Sequence, residues 1–212
     1  MDEEIGQSSI RMNYSNDELK GIRALLAGRY EISEAGLLTE DADTLPVGSV
    51  YDTYITASEF AEIPAELRAM AMLKWIILAD DETAAADGFL KHEADIARIL
   101  DADDTAMQAL LREKETIQTL ETDPRGFTCT VRTKQPGFVF FSVPFSEGFR
   151  AHADDTPVAI TKSNHMMAVP VQAGTHTITF RYRNPFVIAG IVCSVAGWVM
   201  WGLLRKIRIG SI

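Results

Sequence analysis

The stretch from Pro185 to Leu204, PFVIAGIVCSVAGWVMWGLL, contains no charged residue. Coiled as a helix it rises about 30 Å, the thickness of a bilayer's hydrocarbon core. Arg205, Lys206 and Arg208 follow it directly, and Trp198 and Trp201 lie close before them, where an aromatic belt would sit. A buried core helix is the alternative reading, but few core helices of that length lack a charged face. The expectation is therefore a transmembrane helix over 185–204 and a basic cytoplasmic tail over 205–212. Trp198, Trp201, Arg205, Lys206 and Arg208 are its expected membrane-interface residues.

What precedes this segment is polar and acidic. The chain of 212 residues is 47% hydrophobic, enough for one good core or two small ones. Its formal net charge of −10 is carried mainly by residues 1–124. Such a balance argues against nucleic-acid binding, which needs clustered Lys and Arg. It also offers anionic lipid little beyond the basic tail. Cys129 and Cys193 form neither a CxxC nor a zinc pattern, and a disulfide between them is implausible with Cys193 inside the span. The amino terminus, MDEEIGQSSIRMNYSNDE, has neither the basic nor the apolar region of a signal peptide.

Residues 1–16 read as a flexible terminus. Asn16 or Asp17 can cap a helix whose apolar stripe is Leu19, Ile22, Leu25 and Leu26. Short strands are expected near Tyr30–Ile32 and over SVYDTYITA after the Leu45–Gly48 turn. Helices are expected from Ser58 and Pro64, the second running through AELRAMAMLKWIILA, then through FLKHEADIARIL and from Asp104 to Leu120. Residues 17–124 thus read as a mixed but mostly helical region. From Phe127 to Arg183 the period changes to two, with turns at Pro136-Gly137, Asp154-Asp155 and Ala173-Gly174. On the last strand His176, Ile178, Phe180 and Tyr182 share one face. An antiparallel β-sandwich over 125–184 follows. The expected fold class is α+β: a helical N-terminal part with short strands, a C-terminal antiparallel β-sandwich, then one transmembrane helix over 185–204.

No catalytic motif emerges: the chain has no GxSxG, P-loop, GxGxxG or HExxH. His152, His176 and Asp154 could be drawn together as a metal site, but scattered surface histidines are the favoured reading and no metal ligand is assigned. Asp154-Asp155 reads as a turn held by side-chain-to-backbone bonds. The phenylalanines from Phe138 to Phe149 suit a sandwich core better than a sugar-stacking platform. Tyr51, Tyr54 and Phe149 are the candidate glycan contacts. No catalytic residue and no cofactor is expected.

Two blocks carry a resemblance. Ser142-Val143-Pro144-Phe145, Gly148-Phe149, Val169-Pro170, Ala173-Gly174-Thr175-His176 and Phe180-Arg181-Tyr182 resemble the carboxy-terminal end of the YfhO-type bacterial membrane proteins. Upstream, Leu45 to Leu78 (LPVGSVYDTYITASEFAEIPAELRAMAMLKWIIL) is similar to another block of that family. Phe149 stands where the family usually has Trp, and Asp155-Thr156 where it has Asp-Gly. The resemblance implies multi-pass proteins grouped with the GT-C glycosyltransferases. In those the catalytic acid lies in a loop after the first span, and the lipid-phosphate sugar donor binds among the membrane helices. Neither part maps onto this chain, so the resemblance transfers no catalytic residue and implies little activity for the chain alone.

The resemblance thus implies a non-catalytic extracytoplasmic domain and membrane anchor of a longer YfhO-like protein. That protein would glycosylate cell-envelope polymers, of teichoic-acid type for example, from a lipid-linked sugar. The implied partners are the lipid bilayer, the remaining transmembrane helices of the parent and a cell-envelope glycan, with no nucleic acid. The implied location is the cell membrane, the bulk of the chain extracytoplasmic and the C-terminus cytoplasmic. The alternative is a single-pass membrane interaction protein with a β-sandwich binding module, unrelated to glycosylation; a tail anchor would then leave the domain in the cytosol.

Overall fold

The computed structural model describes residues 20–32, 36–40, 44–96 and 104–209; the side chains of 20, 31, 104–106, 188 and 203–209 are not described. The expected terminus 1–16 and its helix cap lie outside these residues. The described elements in chain order are α1 (Lys20–Leu25), β1 (Tyr30–Ile32), β2 (Leu38–Glu40), β3 (Gly48–Tyr51), β4 (Thr53–Thr56), α2 (Ala57–Glu62), α3 (Ala65–Lys74) and β5 (Ile76–Leu78). A 3-10 turn at Thr83–Ala86, β6 (Lys91–His92), α4 (Asp104–Glu113) and β7 (Ile117–Asp123) follow. Next come β8 (Gly126–Thr133), β9 (Gly137–Pro144), β10 (Phe149–Ala153), β11 (Thr156–Val158), β12 (Thr161–Ser163), β13 (Met166–Val171), β14 (Gly174–Tyr182) and α5 (Phe186–Ile209).

Two large sheets and one layer of short helices build the molecule. A five-stranded antiparallel sheet runs β11-β10-β14-β8-β7, and a seven-stranded mixed sheet runs β3-β9-β13-β12-β5-β4-β6. Between them lies a core of Phe127, Cys129, Val131, Ile178 and Phe180 from the first sheet against Val139, Phe141, Met167, Val169 and Val171 from the second. The other face of the seven-stranded sheet presents Phe138, Phe140 and Ala168 to Leu25, Met70, Leu73 and Met107 of the helices. Strand alternation explains β9: odd positions enter one core and even positions the other, so its run from Gly137 to Phe141 is buried throughout.

The fold is therefore mostly β with few helices, which corrects the α+β expectation of a helical first half. Three segments show why. The expected helix through WIILA stops at Lys74, and Ile76–Leu78 becomes a parallel strand beside β4. A short apolar run with two β-branched residues suits a doubly buried strand as well as a helix, and pairing decides. The helix expected from Asp104 to Leu120 ends at Glu113, and Ile117–Asp123 pairs with β8. Lys91–His92 pairs with β4 where a helix was expected. Strands from both sides of Pro124 share each large sheet: β7 pairs with β8, and β3 pairs with β9 in the register Gly48↔Phe141 to Tyr51↔Phe138.

The expected transmembrane helix is also corrected. Among the described residues no helix is long and apolar enough to cross a membrane. Gly190, Ser194, Ala196, Gly197 and Gly202 dilute the apolar character of α5. Phe186, Val187, Ile191, Val192, Val195, Val199 and Met200 are nonetheless exposed on it.

Candidate functional site at the sheet–helix junction

Antiparallel pairing brings three strand ends together where the chain enters α5. β14 pairs with β8 down to Arg181↔Gly126 and with β10 down to Phe149↔Tyr182. The amide of Tyr182 donates to the Arg125 carbonyl at 2.6 Å, and that of Arg183 to the Gly148 carbonyl at 2.9 Å. Only glycine fits at 148, because a Cβ there would lie 2.4 Å from the Tyr182 ring and 2.8 Å from the Arg183 carbonyl oxygen. Asn184 then starts the helix: its Oδ1 accepts from the Phe186 amide at 2.9 Å, with Pro185 between them.

Period two sorts the side chains. Ile178 and Phe180 point into the core, so Thr179 and Arg181 point out, level with His152 and Arg150 of β10. Arg150 and Arg181 are direct cross-strand neighbours, an arrangement of like charges that costs stability unless anions relieve it. Asp123 relieves part of it. Its Oδ2 accepts from Arg181 Nη1, and its Oδ1 accepts from the Arg125 amide at 2.7 Å. The Arg181 hydrogen bond, seconded by that amide, holds the Asp123 carboxyl below the usual range. Arg150 Nη1 turns to the carbonyls of Glu147 and Phe149, each at 2.8 Å. No ion pair to Arg125 or Arg183 occurs among the described residues. The four arginines, Asp123 and His152 surround a groove of about 1200 Å³ on the outer face of the five-stranded sheet. Four guanidiniums against Asp123 and Glu147 make it net cationic in a chain of net charge −10.

A second hollow of about 590 Å³ lies between α3, α4 and β3. Lys114 reaches into it. Its Nζ donates to the Leu73 carbonyl at 2.7 Å and sits 3.1 Å from the centre of the Tyr51 ring, while the Tyr51 hydroxyl donates to the Met72 carbonyl at 2.7 Å. Both carbonyls belong to the last turn of α3, which has no helical donors of its own, so the pair caps that helix. Burial holds the Lys114 ammonium well below its ordinary pKa, against the pull of Asp52, and burial pushes the Tyr51 phenol up.

The expected glycan contacts fare differently. Tyr51 is buried, and its hydroxyl is committed to the Met72 carbonyl. Tyr54 is half-buried, its ring 5.1 Å from that of His92. Phe149 is half-buried against Tyr182 and Phe180, and it lines a separate hollow of about 460 Å³ with Phe145 and Ile160. The structure does not bring these three together. Trp198 is 73% exposed and Trp201 55%, their rings 5.9 Å apart on α5. Arg205, Lys206 and Arg208 fall on its last turns, where side chains lie outside the described residues.

Asp154 and His176 form a turn clamp. Asp154 Oδ1 accepts from the Thr177 amide at 2.8 Å and Oδ2 faces His176 Nδ1 at 2.6 Å. The amide first, then the imidazole, hold this carboxyl below the usual range. Among the described residues no group of three or more His, Cys, Asp or Glu could hold a metal ion.

In the sequence Arg181 and Arg183 stand out only by their place at the end of the last strand. Their alternation with core residues on the last strand was the signal for an outward basic row; the contribution of Arg125 and Arg150 needed the strand register.

Residues 91–194 match the family model described as bacterial membrane protein YfhO. The recognition made from the sequence holds over that segment. It contains all of the groove, from Asp123 to Pro185, and ends inside α5; the upstream block Leu45–Leu78 lies outside it. No curated protein matches, and no solved structure does. The YfhO description is of membrane proteins, so the match supports membrane association.

Proposed function

We propose that this chain is a non-catalytic, extracytoplasmic region of a YfhO-like protein that glycosylates cell-envelope polymers from a lipid-linked sugar. It positions the acceptor glycan or braces the catalytic membrane part. The YfhO match carries this reading, because it covers the five-stranded sheet and the groove together. A sequence without GxSxG, P-loop, GxGxxG or HExxH supports a role without bond-making chemistry of its own. The partners are the lipid bilayer, the transmembrane helices of a longer parent and the envelope glycan. The exposed apolar side chains of α5 support contact with the first two.

Two measurements test this. Deleting the coding sequence in the source bacterium lowers the sugar content of its envelope polymers, while the purified chain transfers no sugar from a lipid-linked donor. Unchanged envelope sugar, or transfer by the chain alone, overturns the reading. The side of the membrane needs an engineered thiol, because Cys129 is buried and its thiol is pushed up to about 12 by burial. Gln118 is exposed on β7. Gln118→Cys in a Cys193→Ser background labels with an impermeant maleimide on intact cells if the domain faces outward, and only after lysis if it does not.

A further inference from the structure

We infer that the arginine groove at the sheet–helix junction is a binding site for the phosphate of an anionic phospholipid headgroup. Three observations meet there. Arg150 and Arg181 are stacked across neighbouring strands, and only Arg181 has a carboxylate partner among the described residues. Arg125 and Arg183 border the same groove, and none of the ion pairs among the described residues involves them. Four arginines border one groove in a strongly acidic chain, which suits a group with several acceptor oxygens, and a phosphate offers these in the geometry the guanidinium fork matches.

The lipid source follows from position. Asn184 and Pro185 line the groove and also begin α5, whose first turns expose Phe186, Val187 and Ile191. A headgroup in the groove places its acyl chains beside those side chains. A free phosphate ester has no use for them. Asp123 serves as a built-in counter-anion that keeps Arg181 extended toward the groove.

The inference stands on the groove's own charge and survives loss of the glycosylation reading. The test is partitioning of the full chain onto vesicles of phosphatidylcholine alone or mixed with phosphatidylglycerol. The wild type prefers the mixed vesicles. Arg125→Gln with Arg183→Gln lowers that preference roughly twenty-five-fold, at about fivefold for each basic residue near an anionic surface. A cooperative urea transition like that of the wild type shows that the variant is folded, and unchanged binding to phosphatidylcholine shows that α5 still contributes. Arg125→Lys with Arg183→Lys keeps the charge but loses the fork, and so retains only part of the preference. Arg205, Lys206 and Arg208 attract anionic vesicles independently, so the series is repeated with all three changed to Gln, and the groove's share persists. A preference abolished by the tail changes but untouched by the groove changes overturns the proposal. So does equal binding of soluble glycerol phosphate with no preference among vesicles.

Discussion

Lys114 shows how one cation can be spent on architecture. Its ammonium closes the last turn of α3 over the face of Tyr51, and burial depresses its pKa. Protonation therefore favours the unfolded chain in the window from the depressed value up to about 10.4, the ordinary lysine pKa. There the unfolded state binds more protons, so stability rises with pH by at most about 1.4 kcal/mol per unit. Cys129 and Tyr51 act in the opposite sense above their own ordinary values, since both are raised in the fold. The comparison with Lys114→Met separates them, because that variant keeps both groups. Urea unfolding from pH 7 to 10 is expected to show the wild type gaining on Lys114→Met as pH rises. A constant difference would mean the ammonium is not desolvated. The sequence marked Lys114 only as one charge in a helical pattern, and nothing local signals that it bends back to α3.

At the scale of elements, hairpin turns carry the strain. Asp154 and Asp155 have φ of 50° and 65°, and Asn164 and His165 have 48° and 65°, the left-handed pair that a two-residue hairpin turn needs. Asp and Asn tolerate that region through local hydrogen bonds, whereas the His165 side chain makes none among the described residues. His165→Gly makes Asn-Gly between β12 and β13 and is expected to stabilise the fold by about 1 kcal/mol, read as a higher urea midpoint with unchanged slope. The His165 carbonyl, which accepts from the Phe145 amide at 2.9 Å, is kept. Strands with clean alternation were legible in advance: β8 opens the period-two stretch at Phe127, and β14 carries the shared face of His176, Ile178, Phe180 and Tyr182. The short strands β5 and β6 were not, since two or three apolar or charged residues carry no period and only their neighbours make them strands.

Across the whole molecule, β9 ties the two halves of the chain together. One face of it closes the inter-sheet core and the other receives Tyr51, Met70 and Leu73. A fragment of residues 125–184 would expose Phe138, Phe140 and Ala168, and would lose β3 and β7 from the sheet edges. It is expected to show no cooperative thermal transition, whereas residues 44–184 should. Cooperative melting of the short fragment would show that the inter-sheet core suffices alone. The sequence marks a change of texture at Pro124, and that change is real as local pattern. Pairing across it depends on contacts far apart in the chain, which no window of residues contains.

The junction between β14 and α5 is held on one side only. The amides of Tyr182 and Arg183 are pinned to the carbonyls of Arg125 and Gly148, whereas the Phe186 amide is held by Asn184 within the helix's own cap. Any tilt of α5 against the sheet is therefore taken up at Asn184 and Pro185. Arg181 and Arg183 keep their places beside the groove while the helix swings.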